Sequence, residues 1–570
     1  MFSQEGLAVL KARYLRQDET PADMFRRVAS HVALGEELHG DDAAQAEEEY
    51  YQLMSELIFL PNSPTLINAG RERAQLAACF VLPVEDTLGG IFETLKNAAL
   101  IHQSGGGTGF SFSRLRSRGE RVASTGGESS GPVSFMHIYN AATQVVKQGA
   151  VRSGANMAIL RVDHPDIEEF ITAKRRHDVL NNFNLSVAIT DGFMKAVEED
   201  GPFALVSPAD GRTVKTVKAR QIFSLLVRLA WENGEPGLFF LDTVNRFNPT
   251  PELGVFEAPN PCSEQPLLPY ESCVLGSVNL TKLIKTLGKE REIDFDRLRS
   301  VVRTAVRFLD NVVDVNDYPL PEVAEATRRT RKIGLGIMGL AEVFIMLDIP
   351  YASQQATELT AEILRFITAE ARAASGELGR RRGSFPAFAG SIFAADGWEA
   401  MRNATVTTIA PTGTISIIAG CSSGIEPLFA LAMSRRVLEG QVLVSSSQVV
   451  LDYLSERNLF TEEVKSLIMA QGGVETSALP EKVKQVLSTA HEITPYWHVA
   501  QLAAAQRFID NGVSKTVNMP YDSSEQDVAH IFRQAYASGC KGITVYRDAS
   551  RCQQVLTGGT AVCDDCGCSL

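Results

Sequence analysis

Residues 258–273 read APNPCSEQPLLPYESC. The four prolines remove backbone donors and push each preceding residue toward extended geometry, so a helix is excluded and a stiff loop expected. Asn260, Cys262 and Glu264 stand at i, i+2 and i+4. On an extended segment that spacing puts an amide, a thiol and a carboxylate on one side.

Outward from this loop, short β-rich runs recur along the chain: CFVLPV (79–84), FSFS (110–113), NMAILRV (156–162), NLSVAIT (184–190), FALVSP (203–208), GLFFLD (237–242), TVTTIA (405–410), KTVNMP (515–520) and GITVYR (542–547). Amphipathic helical stretches separate them. In 527–537, for example, Val528, Ile531, Phe532, Ala535 and Tyr536 share one helical face. Such alternation is α/β, and about nine or ten strands exceed what an open sheet carries without curling, so a closed α/β barrel is expected. Residues 5–58 read as helical, with a capping start at Thr20-Pro21. The end, LTGGTAVCDDCGCSL (556–570), is small and glycine-rich, as expected of a mobile tail.

The chain has 570 residues, 45% of them apolar and 22% charged, with a formal charge of −13. That balance argues against nucleic-acid or anionic-membrane partners, which need a basic face. No apolar run is long enough to span a bilayer, and the N-terminus lacks a signal-peptide pattern, so a cytoplasmic protein is expected. Nine cysteines spread thinly do not form a secreted disulfide framework.

Three glycine-rich loops invite ligand readings. QSGGGTGF (103–110) permits close backbone approach, yet it is neither a dinucleotide fingerprint nor a P-loop, and by itself it reads better as a tight helix-to-strand turn. APTGTIS (410–416) could cradle a phosphate in a nest of N–H groups and hydroxyls, or merely end a strand. KQGAVRSGAN (147–156) sets Lys147 and Arg152 in a loop suited to anions, or to water. In the proline-stiffened loop, Glu264 could serve as a general base, Asn260 could orient a hydroxyl, and Cys262 could be a nucleophile or a hydrogen-atom carrier. A Cys–His reading needs a histidine signature that is not found.

NPCSEQPLLPYESCVLGSVNL, taken with AACFVLPVEDTLGGI, SGGGTGF, APTGTISIIAGCSSGIEP and GCKGITVYR, closely resembles the catalytic chain of ribonucleotide reductases, from about residue 60 to 547. The resemblance implies a ten-stranded α/β barrel (71–549) with a central finger loop, an N-terminal helical region (1–70) and a flexible redox tail (550–570). It assigns Cys262 as the thiyl radical that takes the 3′ hydrogen, Glu264 as the base on the 3′ hydroxyl and Asn260 as a sugar ligand. Cys79 and Cys273 become the reducing dithiol, which requires their Cα atoms to lie within about 7 Å. Ser63 and Thr65 in Asn62-Ser63-Pro64-Thr65, together with Gly107, Pro411, Thr412, Gly413, Thr414 and Ser416, match substrate-binding segments. Residues 131–156, with Asn140, Lys147 and Arg152, match the place where a deoxynucleotide effector binds at a homodimer interface; Asn140 stands where relatives carry an acidic residue.

The resemblance also points to a radical source. The class with a separate radical subunit carries adjacent tyrosines near the barrel's end, whereas ITVYR has only Tyr546 and the pair Tyr50-Tyr51 lies near the N-terminus. The glycyl-radical motif is absent, and KGITVYRD resembles the adenosylcobalamin-dependent class. Cys563 and Cys566, with Cys568 beside them, are expected to re-reduce Cys79–Cys273 and pass the disulfide to thioredoxin or a glutaredoxin-type reductant. A metal half-site is the other reading of that cluster. Cys421, Cys540 and Cys552 are expected to be packing residues. The N-terminus leaves no room for an ATP-binding control domain, so on–off regulation by dATP is not expected. The rivals are a catalytic subunit that needs a separate radical-generating protein, and a non-catalytic nucleotide-binding regulator on a decayed barrel.

Overall fold

In the computed structural model the described residues are 2–122, 126–147, 154–176, 179–288, 290–436, 442–548, 550 and 557–558. Three helices open the chain: α1 (Gln4–Arg13), α2 (Pro21–Glu37) and α3 (Ala43–Ser55). The expected start of α2 is a full capping box, with Thr20 and Asp23 satisfying each other's backbone N–H and Pro21 in the first turn. A short strand β1 (Phe59–Pro61) and helix α4 (Ser63–Asn68) lead into the barrel.

The first half of the barrel holds five parallel strands: β2 (Cys79–Pro83), β3 (Gly107–Ser111), β4 (Asn156–Arg161), β5 (Phe183–Ile189) and β6 (Gly237–Phe240). Helices α5 (Leu88–Gln103) and α6 (Pro132–Lys147) cross over between them. A two-strand finger follows, β7 (Ala258–Pro259) and β8 (Pro266–Leu267). The second half contains β9 (Ser272–Asn279), β10 (Ile333–Met338), β11 (Thr516–Met519) and β12 (Gly542–Arg547).

The halves meet antiparallel at two seams, β9 on β2 and β12 on β6. Within the second half, β9 is parallel to β10 and β11 to β12. The run TVTTIA closes the ring: the Ile333 and Leu335 amides donate to Thr405 and Val406, and on its other side Asn511 and Ser514 donate to Thr407 and Ile409. Parallel bridges Leu335↔Thr407 and Ile409↔Val513 accompany these bonds. Strand β1 lies outside the ring, antiparallel to β9.

Two strand expectations need correction. FALVSP forms Pro202–Val206, which pairs with Thr213–Lys218 in a separate two-stranded sheet. Strands β9 and β10, both barrel strands, were not among the sequence candidates. Every residue of each is buried, so neither shows the alternation that marks a half-exposed strand.

The longest amphipathic helices, α7 (Phe295–Val315) and α8 (Gln354–Arg382), carry a buried charge cluster. Asp310 accepts from Arg331 Nε and Nη2 at 3.0 and 2.8 Å, from Asn403 Nδ2 at 3.0 Å and from Arg402 Nε at 3.1 Å. Burial pushes its carboxyl up, but Arg331 and Arg402 outweigh that and hold it at about 2. Next to it, Arg382 pairs with Glu36 of α2, which also accepts from Tyr50 of α3 and Asn311 of α7. The cluster thus fastens the N-terminal helices to the strand ends of the second half-barrel. Among the described residues no helix is long and apolar enough to cross a membrane.

On the first half, His102, Thr108, Asn156 and Thr143 form a buried chain, with steps of 2.8, 2.8 and 2.9 Å. Thr108 spends its hydroxyl proton on the Asn156 carbonyl, so His102 must donate through Nε2–H. Burial lowers its ring to about 4, against a weaker opposing hydrogen bond from Asn156.

Asp310→Ala should lower the free energy of unfolding by about 3–5 kcal/mol, read from denaturant melts, because it strips buried guanidiniums of their central counter-charge. Unfolding releases His102 to its ordinary value near 6.5, so the unfolded chain takes up a proton first as pH falls. Its contribution is intact above about 6.5 and is lost through about 4, up to about 3 kcal/mol. A His102→Gln variant should show that much less acid sensitivity in the same melts.

Candidate active site

The finger is a hairpin with Pro266 opposite Pro259 and Leu267 opposite Ala258. Its tip is closed by Asn260. The Asn260 amide donates to the Gln265 carbonyl at 3.1 Å, Gln265 N–H donates to Asn260 Oδ1 at 3.0 Å, and Ser263 N–H donates to the Asn260 carbonyl. Pro261 suits the first corner of this turn and Ser263 takes a left-handed φ of 66°. The segment is therefore a turn at 260–263, not the extended run expected from the spacing. Asn260 and Glu264 still point to a common place, but Cys262 is carried out to the tip, where it is exposed. Asn260, Glu264 and Gln265 are buried.

Barrel strands grip the finger from several sides. Asn184 of β5 donates to the Pro261 carbonyl at 2.8 Å. Gly512 N–H and the Thr408 hydroxyl both reach the Glu264 carbonyl, at 2.8 and 2.9 Å. Glycines make room for it: a Cβ on Gly109 of β3 would lie 1.8 Å from the Pro259 carbonyl oxygen, and one on Gly512 would lie 2.6 Å from that of Ser263. Two glycines of QSGGGTGF, Gly107 and Gly109, thus serve as a wall for the finger, with Gly107 beneath Pro261.

At the first seam Cys273 of β9 is the register partner of Cys79 of β2. Direct antiparallel partners have Cα atoms about 4.5–5.5 Å apart, within the range a disulfide bridges. Asn260 Nδ2 donates to Cys79 Sγ at 3.0 Å, and that thiol lies 4.0 Å from Glu264 Oε1. An amide, a carboxylate and two thiols thus form one buried cluster beneath the tip of the finger. Burial pushes the Cys273 thiol well up, with Lys332 opposing and Glu271 adding to the rise. Two thiols in register can give up two electrons by closing to a disulfide.

The other predicted residues are less concentrated. Ser63 Oγ meets Tyr14 OH at 2.7 Å, while the buried Thr65 hydroxyl turns toward Asn62 and the Leu76 carbonyl. Pro411–Ser416 forms a turn into α9 (Ile415–Ala419), with Gly413 exposed and Thr414 half-buried. Thr412 Oγ1 there accepts from Gly424 N–H, and Ser416 Oγ meets Ser423 Oγ. Helix α1 links the two segments, since its Gly6 packs on the Ile417 carbonyl and Tyr14, at its end, reaches Ser63. Asn140 is engaged with Asn182, accepting its backbone N–H at 3.0 Å. Lys147 ends α6, and Arg152, Cys552, Cys563, Cys566 and Cys568 lie outside the described residues. Cys540 is buried and its thiol is raised to about 12, as suits a packing residue.

Sequence reasoning missed Asn184, Thr408, Glu271 and Lys332. Each lies in or beside a strand-like run without a distinctive spacing, so only the fold reveals them.

Residues 77–546 match the family described as ribonucleotide reductase, barrel domain, and residues 1–74 match ribonucleotide reductase, all-alpha domain. The chain is 47% identical to a Thermoplasma acidophilum protein named vitamin B12-dependent ribonucleoside-diphosphate reductase, covering 98% of this chain and 80% of the relative. A Mycobacterium tuberculosis H37Rv protein of the same name is also 47% identical, over 97% of this chain and 79% of the relative. Among solved structures, the Actinobacillus ureae class Id ribonucleotide reductase alpha subunit has the same fold, with a TM-score of 0.78 at 23% identity over 96% of this chain and 97% of that one.

Gly109→Ala should lower unfolding stability by about 1–3 kcal/mol, since the new methyl must displace finger backbone. Gly192→Ala, on a helix with nothing within 4 Å of the added Cβ, should leave it unchanged or slightly raised in the same thermal melts.

Proposed function

The chain belongs to the ribonucleotide reductase family, and from that premise we propose that it is a vitamin B12-dependent ribonucleoside-diphosphate reductase, replacing the 2′ hydroxyl of a ribonucleotide with hydrogen. The observation that carries this reading is the Cys79–Cys273 register pair set against Asn260 and Glu264 beneath the tip of the finger.

In this reading Cys262 takes the 3′ hydrogen as a thiyl radical, Glu264 accepts the 3′ hydroxyl proton and Asn260 holds the sugar. The 2′ hydroxyl leaves as water. Cys79 and Cys273 supply two electrons and two protons and close to a disulfide. Adenosylcobalamin is the cofactor and, when bound, supplies the one-electron oxidation of the Cys262 thiol. The site fits it in one respect: Cys262 is exposed between buried Pro261 and half-buried Ser263, so its sulfur can be reached from outside the dithiol chamber. Half-buried Ser263, with Gly542 packed behind it, is the neighbour of Cys262 that would face the group.

Ser63, Thr65, Gly107 and the turn Pro411, Thr412, Gly413, Thr414 and Ser416 are assigned to the substrate. Exposed Leu88, Phe92, Leu100, Ile138 and Val145 on α5 and α6 support a homodimer interface there. A deoxynucleotide effector is assigned to the same region, near Asn140, Lys147 and Arg152. Cys563 and Cys566 on the tail carry electrons from thioredoxin or a glutaredoxin-type partner. We divide the chain as 1–70, 71–549 and 550–570 and place it in the cytoplasm.

The purified chain, given a ribonucleoside diphosphate and a dithiol, should form deoxynucleotide only when adenosylcobalamin is added. A requirement for a second protein in place of the cofactor would overturn the assignment. Cys262→Ser should abolish turnover while binding nucleotide normally; turnover above about 1% of wild type would remove its radical role.

A further inference from the structure

Lys332 immediately precedes β10, and Glu271 immediately precedes β9. Their side chains are 0% and 2% exposed, and Lys332 Nζ lies 2.5 Å from Glu271 Oε2. Glu271 is itself fixed, accepting Leu268 N–H and the Thr330 hydroxyl at 2.7 Å each. The ammonium also lies 4.6 Å from the centre of the Phe256 ring, at the root of the finger. Such a pair is costly to bury and adds little net stability over apolar replacements, so its position asks for another explanation.

The register supplies one. Val274 pairs with Ile333 in the parallel β9–β10 ladder, which sets Cys273 beside Lys332 one step earlier. Cys273 Sγ lies 3.4 Å from the Lys332 carbonyl. On the opposite side Cys273 pairs with Cys79. Laterally paired residues point to the same face of a sheet, so Cys79, Cys273 and Lys332 form one row across three strands. The row is electrostatically unequal. Beside Cys79 stands the Glu264 carboxylate at 4.0 Å, whereas Cys273 shares its row with Lys332, whose ammonium is held at Glu271, two residues from Cys273 on the same strand face. A carboxylate disfavours a thiolate and an ammonium favours one. At Cys273 burial raises the thiol most; Lys332 is the largest opposing influence, exceeding Glu271 and Glu264 taken singly.

Building on the dithiol reading above, we propose that Lys332, held by Glu271, is the positioning residue that makes Cys273 the leaving sulfur when the Cys79–Cys273 disulfide is reopened after turnover. An incoming thiolate attacks Cys79 Sγ and forms a mixed disulfide there. The Cys79–Cys273 bond breaks, and its electron pair departs on Cys273 as a thiolate stabilised by Lys332. A second thiolate of the dithiol reductant then attacks the reductant's own sulfur in the mixed disulfide and releases Cys79. The reductant ends as a disulfide, having given two electrons, and solvent supplies two protons to the protein thiols. Exchange is faster when the departing thiolate is the better stabilised one, so the charge row gives the reaction a direction.

The test uses the full chain, oxidised by turnover, with the Cys79–Cys273 disulfide identified by peptide mass spectrometry. Mercaptoethanol is added as the incoming monothiol, released thiols are alkylated at once, and the mixed disulfide is mapped. Wild type should carry the mixed disulfide on Cys79 and the alkyl group on Cys273 in at least about tenfold excess over the reverse. A mixed disulfide to a tail cysteine is scored by the same rule. Lys332→Met should bring the ratio to within about threefold of unity, and Lys332→Gln serves where Met does not fold. The reverse ratio in wild type, or an unchanged ratio in a folded variant, overturns the proposal. Failure to find the disulfide after turnover would instead remove the dithiol reading, and this proposal with it.

Discussion

The site depends on one constraint, the absence of side chains where the finger passes the barrel wall. A methyl on Gly109 would overlap the Pro259 carbonyl, and one on Gly512 would overlap that of Ser263. With those walls bare, backbone can meet backbone, and Gly512 N–H reaches the Glu264 carbonyl at 2.8 Å. The finger's polar groups are then satisfied by the barrel itself, with Asn184 and Thr408 serving the carbonyls of Pro261 and Glu264. A buried loop without such partners would be costly. The same grip fixes where Asn260 and Glu264 point, and hence what Cys79 faces.

The antiparallel seams follow from building a ring out of two parallel halves. Parallel strands need long crossovers, so sequence neighbours seldom face one another across a parallel ladder. At a seam, residues remote in sequence become direct partners, and Cys79 with Cys273 is such a pair. The finger emerges from the chain between β6 and β9, just before that seam. One connection therefore delivers the exposed thiol, the carboxylate and the second thiol of the register pair within residues 262–273.

Much of this was readable in the residues. The alternation of runs points to an α/β barrel with TVTTIA among them, but the place of TVTTIA as the segment that closes the ring is seen only in the fold. Strands β9 and β10 escaped because burial on all sides erases alternation. The grouping of Asn260 with Glu264 was legible from spacing, whereas the outward position of Cys262 was not, because the turn depends on Ser263 adopting a positive φ. QSGGGTGF advertised a close approach without naming what approaches. No local pattern marks Asn140 as the partner of Asn182 or Lys332 as the neighbour of Cys273, since the first relation comes from packing a helix beside the start of β5 and the second from strand register.

Arg331 and Lys332 show how closely stability and chemistry are joined. Arg331 ends the helix Pro321–Thr330 with a left-handed φ of 48°, and its guanidinium goes to Asp310 and Asp314. The next residue sends its ammonium the other way, to Glu271 beside the dithiol. Successive side chains diverge in this manner where a strand begins. The outer charge is anchored through Asp310 to Arg402, which shortly precedes the closing segment, and Asn403 ties back to the Arg331 carbonyl. The outer cluster therefore fixes the backbone from which the inner charge projects. An ammonium offset by an ångström would act differently on the two sulfurs, because a charge's influence on adjacent thiols in a low-dielectric interior varies steeply with distance. The buried charge cluster that joins the helices to the barrel thus also fixes the backbone from which the proposed charge row at Cys273 projects.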